Sequence, residues 1–220
     1  MFKGLGKSFD ERVLLRDRKH EDGFFDEQKG ALTVHNKQLY ETASATARMS
    51  KAHKRVADSF IGVAEGVSQL SLGTDDPNAQ VYKKFSDTME KLRKIEGRVS
   101  TDTDLKLTDL LRYYERDSKA ALDLLYRRLR SMVDLENAKK THEKAKIKGK
   151  DVPTAEKNEE KCQTRVESYS KIGKRELEVY RTRRITTFKK SLTELADLQI
   201  KHSKNEINLL KAAISTLKQL

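Results

Sequence analysis

Apolar residues recur along the chain at steps of three and four residues or their sums, the spacing of one face of a helix. A first series runs Phe24, Ala31, Leu39, Met49, Val56, Phe60, Val63, Val67, Leu70. A second runs Phe85, Met89, Leu92, Leu107, Leu111, Tyr114, Ala121, Leu125, Leu129, Met132, Leu135. A third runs Val166, Tyr169, Leu177, Tyr180, Phe188, Leu192, Leu195, Leu210, Ile214, Leu217. The stripes are narrow, closer to a coiled-coil seam than to a globular helix face. The chain has only two prolines, Pro77 and Pro153, and each follows a glycine (Gly73, Gly149) within a few residues, a helix stop and restart. The pattern predicts three helices, at about 24–72, 78–148 and 154–219. Glu96-Gly97 and the polar cluster from Ser100 to Asp104 predict a kink or short interruption early in the second.

A helix of some 70 residues spans ~105 Å, whereas a compact 220-residue domain has a radius of gyration near ~17 Å. Joined by short connections, such helices must run antiparallel as an elongated all-α coiled coil. Narrow-striped helices bury little surface alone, so the apolar positions left over predict an obligate dimer. A solitary three-helix bundle with shorter helices is the competing arrangement.

Composition narrows the chemistry. Charged residues and the apolar set each make up 36% of the 220 residues, too polar a balance for a thick spherical core. One cysteine, Cys162, permits no intramolecular disulfide, and no apolar run reaches the ~18 residues of a membrane span. The first twenty residues lack the apolar block of a secretory signal, so a soluble, cytoplasmic protein is expected. No glycine-rich phosphate loop occurs. Of the histidines His20, His35, His53, His142 and His202, none has metal-ligand spacing; His142-Glu143 begins like a zincin motif, but Lys146 stands where its second histidine would be. The acidic residues Asp102, Asp104 and Asp109 suit helix capping better than a catalytic pair. No enzymatic activity, cofactor or metal is expected.

The net charge is +12, and its excess is concentrated. Lys139 to Lys150 (KKTHEKAKIKGK) carries +5 and Lys171 to Lys190 (KIGKRELEVYRTRRITTFKK) carries +6. The two runs lie on either side of the Gly149–Pro153 turn and are expected at the same end of a helical hairpin. Gathering like charges costs stability, so an acidic partner is implied, either an anionic membrane or nucleic acid. The runs hold few stacking aromatics and match no nucleic-acid-binding signature, which favours membrane. At the N-terminus Phe2, Leu5, Phe9 and Val13 share a helical face, ringed by Lys3, Lys7 and Arg12. Residues 1–18 thus read as a basic amphipathic segment, an auxiliary membrane wedge or an arm packed on the rod.

The stretch Lys91–Arg128 closely resembles the BAR domain of the sorting nexins. The resemblance rests on Arg98-Val99-Ser100, Asp104-Leu105-Lys106-Leu107, Asp109-Leu110-Leu111, Tyr113-Tyr114 and Asp123-Leu124-Leu125-Tyr126-Arg127-Arg128. Glu136-Asn137-Ala138, Lys148-Gly149-Lys150-Asp151-Val152, Arg48-Met49 and Ser50-Lys51-Ala52-His53-Lys54 extend it over roughly Phe24 to the C-terminus. The subgroup it most resembles is the nexin-five and nexin-six type, whose members pair with a second nexin in retromer-linked sorting. The resemblance implies a BAR domain over residues 19–220 and a crescent-shaped dimer, each arm built of three helices. It further implies residence on early endosome membranes, tubule formation for retrograde cargo, and retromer-associated proteins as partners. The PX domain that precedes BAR in this family has no counterpart in the sequence.

The expected lipid contacts are Lys139, Lys140, Lys144, Lys146, Lys148, Lys150, Lys174, Arg181, Arg183, Arg184, Lys189 and Lys190, acting as point charges on anionic lipids. Dimerisation, with a second copy or with another sorting nexin, is expected at the opposite end through Val56, Phe60, Phe85, Leu210, Ile214 and Leu217. The alternatives are a coiled-coil adaptor for acidic proteins that makes no membrane contact, and a helical nucleic-acid binder.

Overall fold

The computed structural model describes residues 22–70 and 77–220. All secondary structure among them is helical. Helix α1 is Gly23–Leu70 and α2 is Ala79–Thr103; a single π-helical turn, Asp104–Thr108, joins α2 to α3, Asp109–Lys148; α4 is Val152–Leu217. The chain is all-α, with three long helical stretches in antiparallel succession. Phe2, Leu5, Phe9 and Val13 lie outside the described residues, as does most of the connection from α1 to α2.

Local chemistry explains the helix ends. The Asp22 carboxylate accepts the Phe24 N–H at 3.0 Å and caps α1. Helix α3 ends in a Schellman motif: the Lys150 N–H bonds to the Ala145 carbonyl (3.3 Å) and the Gly149 N–H to that of Lys146 (3.2 Å), with Gly149 at φ 63°. A left-handed residue at this point favours glycine. Gly97 does not interrupt α2. The irregularity comes later, where the Asp109 N–H reaches back five residues to the Asp104 carbonyl. The Lys106 carbonyl in this turn accepts a 2.7 Å bond from the Ser191 hydroxyl of α4. Thr108 is fully buried there.

The chain packs as two compact units. The first joins the residues up to Gln38 with Tyr114–Ile185. Its core is Phe25 and Leu32 from α1, Tyr114, Leu125 and Leu129 from α3, and Leu177 and Tyr180 from α4. Asn36 Nδ2 donates to the Glu115 carbonyl (2.8 Å) and to the Ser118 hydroxyl (2.7 Å), tying α1 to α3. Gly173 lets Phe25 approach α4, since a Cβ there would stand 3.3 Å from the ring. Farther along the α3–α4 hairpin, Leu135 and Ala138 pack on Cys162 and Val166.

The second unit joins Leu39–Tyr113 with Thr186–Leu220. Ala64, Met89 and Leu92 form a core cluster closed by Phe60 and Leu209, so all three stretches contribute. Ser50 and Ser100 are buried and each hydroxyl donates to the other's carbonyl at 3.0 Å, a crossing where small side chains bring α1 and α2 together. His53 Nδ1 meets Glu96 Oε2 at 3.0 Å, and Ser86 donates to the Ala64 carbonyl at 2.7 Å. Helix α4 is fixed to α2 and the π turn by His202 Nε2 with Asp102 Oδ2 (2.7 Å) and Lys106 Nζ with Glu194 (2.7 Å).

Candidate functional site

The register of the hairpin decides where the basic residues meet. His142 pairs with Glu159, Asp134 with Arg165, Arg128 with Ser170 and Asp117 with Arg183. Facing residue numbers therefore add to about 300. Lys139–Lys150 lies against the start of α4, which carries Glu156, Glu159 and Glu160. Arg181 and its neighbours lie level with α3 residues some 25 positions before Lys144, roughly 38 Å away along the axis. The two basic runs consequently do not meet at one tip, as the sequence had led us to expect. Equal distances from the turn face one another, and the second run begins twenty residues past it. Lys189 and Lys190 belong to the second compact unit, and the other ten expected contacts to the first.

Several of the expected lipid contacts are already engaged. Lys174 Nζ bonds Asp22 at 2.8 Å and stands 5.5 Å from the Phe24 ring centroid. The hydrogen bond from Lys174, followed by the Phe24 N–H, holds the Asp22 carboxyl below the usual carboxylate range. Arg183 pairs with Asp117 (2.6 Å), Lys140 with Glu136 (2.7 Å) and Lys146 with Glu143 (3.2 Å). Lys190 is 4.0 Å from Glu194, whose carboxyl is lowered chiefly by its hydrogen bond from Lys106. Arg184 lies 5.3 Å from the Tyr180 ring centroid and is half-buried.

Among the described residues, Lys139, Lys144, Lys148, Lys150, Arg181 and Lys189 are exposed and form no ion pair. Four of these six cluster at the end of α3 and in the turn after it. They are the free cations of the site. Arg181 lines a groove between α1 and α4 with His35, Gln38, Tyr180 and Arg184. Burial, reinforced by the Arg184 guanidinium, holds the His35 imidazole below its ordinary 6.5. Burial likewise raises the Tyr180 hydroxyl above the usual phenol range.

A second surface lies on the second unit. Met49, Val56, Val63 and Leu70 recur every seven residues on α1, each 44–59% exposed. On α4, Ile200, Ile207 and Ile214 recur at the same interval and are 50–54% exposed. Heptad-spaced apolar residues left in solvent are knobs without holes. Of the expected pairing residues, Val56, Phe85, Leu210 and Ile214 are exposed and Leu217 is partly so. Phe60 is different: it closes the internal cluster of Ala64, Met89 and Leu92. Met49, Val63, Leu70, Ile200 and Ile207 were absent from the expected set. Their seven-residue spacing was the signal that could have found them.

Among the described residues there is no group of side chains arranged to hold a metal, and no helix long and apolar enough to cross a membrane.

A three-stretch helical bundle with a free heptad seam and a cationic hairpin end defines a module of the BAR class. The N-terminal I-BAR domain (1–259) of D. discoideum IBARa has the same fold, with a TM-score of 0.58 over 90% of this chain and 89% of that one at 13% identity. The profile of the Vps5 C-terminal-like family matches residues 1–215, and the chain belongs to that family. Sorting nexin-6 of Homo sapiens is 42% identical over 218 residues, covering 98% of this chain and 53% of that protein. Sorting nexin-32 of Mus musculus is 39% identical over 222 residues, covering 99% and 54%. The chain spans about half the length of these curated relatives.

Proposed function

We propose that this chain is a non-enzymatic membrane-curvature module that pairs with a second BAR-type chain and binds anionic membrane through the end of its α3–α4 hairpin. The observation that carries the reading is the group Lys139, Lys144, Lys148 and Lys150, exposed and without ion pairs among the described residues. A lysine near an anionic leaflet contributes ~1 kcal/mol. The four supply about 4 kcal/mol per chain and a pair of chains about twice that. That difference separates millimolar from micromolar association. The exposed heptad series supports the pairing that makes the doubling available.

The more specific form of the reading is a sorting nexin peripheral on early endosome membranes, acting in retromer-linked tubule formation and retrograde sorting. Its support is the sorting-nexin relatives and the motifs that carry the resemblance. The partner chain is a second copy or another sorting nexin, and retromer-associated proteins are further partners in this reading. Residues 1–18 act as an amphipathic addition to the BAR domain of residues 19–220.

The experiment is co-sedimentation with phosphatidylserine vesicles, together with mass measurement in solution. Lys144→Glu with Lys148→Glu is expected to abolish binding at moderate salt without loss of helicity. Lys174→Glu is expected to spare binding while lowering stability. Val63→Asp with Ile207→Asp is expected to give a folded chain that no longer pairs. Pairing without any vesicle binding would replace this reading with an adaptor for acidic proteins. Tighter binding to duplex DNA than to vesicles at the same salt would replace it with nucleic-acid recognition.

A further inference from the structure

Ile147 is the most exposed large apolar side chain among the described residues, at 85%. It occupies the last turn of α3, one residue before the helix ends at Lys148. The Schellman cap does not use it. Such a cap commonly rests on an apolar contact from the residue after the glycine, and that residue is Lys150. Two left-handed residues, Gly149 at φ 63° and Asp151 at φ 58°, fold the chain back within three positions. The turn is thereby held tight with Ile147 on its flank. Around it stand Lys144, Lys148 and Lys150, exposed and without ion pairs among the described residues, while Lys146 is bonded to Glu143 at 3.2 Å.

A single exposed aliphatic residue is ordinary on a protein surface. This one stands at the closed end of a hairpin, among cations that match an anionic surface in sign. We propose that the α3–α4 turn is a lipid-inserting tip, in which Ile147 enters the boundary between headgroups and acyl chains while Lys144, Lys148 and Lys150 engage the headgroup phosphates. The inference rests on the membrane reading above and adds an apolar component to it. The geometry suits both parts. An ammonium on its four-carbon stem reaches up to the headgroup layer as the short branched side chain goes below it. Binding then has two components that respond differently to salt: the lysine contribution is screened, and the isoleucine contribution is not.

The chain contains no tryptophan, so Ile147→Trp places a single fluorophore at the tip. With vesicles of phosphatidylserine and phosphatidylcholine its emission is expected to shift to the blue, and bromine on the acyl chains is expected to quench it. In a second variant, Ile147→Ser, partitioning is expected to weaken about tenfold or more. The loss should be proportionally greatest at high salt, where the lysines contribute least. Binding of the unaltered protein, combined with an unquenched fluorophore and undiminished binding of Ile147→Ser, overturns insertion and leaves the membrane reading standing. Failure of the unaltered protein to bind vesicles overturns both. A tip that serves a protein partner would give this last result.

Discussion

The guanidinium carbon of Arg128 lies 3.8 Å from the centroid of the Phe25 ring, and both side chains are buried. Arg128 Nε also donates to the Ser170 hydroxyl at 2.9 Å, and one terminal nitrogen lies 3.2 Å from the Met132 sulfur. Phe25 thus packs against both the Arg128 cation and the α4 backbone at Gly173. This is where the beginning of α1 is fixed to α3 and α4, and the free lysines lie farther along the same hairpin.

Phe25→Ala is expected to lower unfolding stability by about 3–5 kcal/mol, the range for emptying a buried aromatic site. Arg128→Met keeps much of the volume but removes the cation over the ring and the hydrogen bond to Ser170, so a smaller loss of about 1–3 kcal/mol is expected. Urea denaturation of the two variants compares them directly. A loss for Arg128→Met as large as that for Phe25→Ala would refute this account of the cluster.

Glycine replacement should have opposite signs at two helical positions. A Cβ on Gly97 meets nothing within 4 Å, so Gly97→Ala is expected to add roughly 0.5–1 kcal/mol by reducing the freedom of the unfolded chain. A Cβ on Gly173 meets the Phe25 ring at 3.3 Å. That ring is fully buried and packed against Arg128, so Gly173→Ala should lose the helical gain and melt below the unaltered protein.

The pH dependence has a definite direction at His35. Its folded-state value lies below the ordinary 6.5 because of burial, with Arg184 adding to the effect. The unfolded chain therefore binds the proton more readily than the folded one. The resulting stabilisation is complete above about pH 6.5 and is lost as the pH falls toward the lower folded-state value. His35→Gln removes it. Between about pH 7.5 and 5 the unaltered protein should lose more stability than the variant, as measured by denaturation at each pH. Parallel curves would dismiss the effect.

In the π-helical turn the buried Thr108 hydroxyl has no hydrogen-bond partner among the described residues. An unsatisfied buried hydroxyl costs about 1–3 kcal/mol. Thr108→Val keeps the shape and deletes the polar atom, so the melting temperature should rise. A fall would mean that the hydroxyl is satisfied in solution.

The helical class and the three long stretches were legible because spacing by three and four is dictated by helix geometry, and because glycine and proline mark where it stops. The irregular turn was only half legible. The polar run from Ser100 to Asp104 pointed toward it, but Gly97, which looked like the weak point, lies in unbroken helix; the extra residue is absorbed at Asp104–Thr108, where Ser191 of another helix takes up a loosened carbonyl. The cationic site was legible in composition and not in arrangement. Lys174 and Arg183 look the same in sequence as Lys144 and Lys148; only the packing of the start of α1 on α4 shows that Lys174 meets Asp22, and only the hairpin register that Arg183 faces Asp117. Phe60 was assigned to the free seam because α1 carries an inward and an outward apolar stripe, and periodicity sums the two. Separating the seven-residue series from the rest distinguishes Val56 and Val63 from Phe60 and Ala64.

The lone thiol of Cys162 lies within the α3–α4 hairpin, buried beside Leu135, Ala138 and Val166. It therefore serves as a built-in clock. Cys162 is buried, so a thiol reagent is expected to label it slowly, at a rate that reports how often α3 and α4 part around it. Vesicles that seize the end of the hairpin should slow the clock, and no foreign probe need be added to read it.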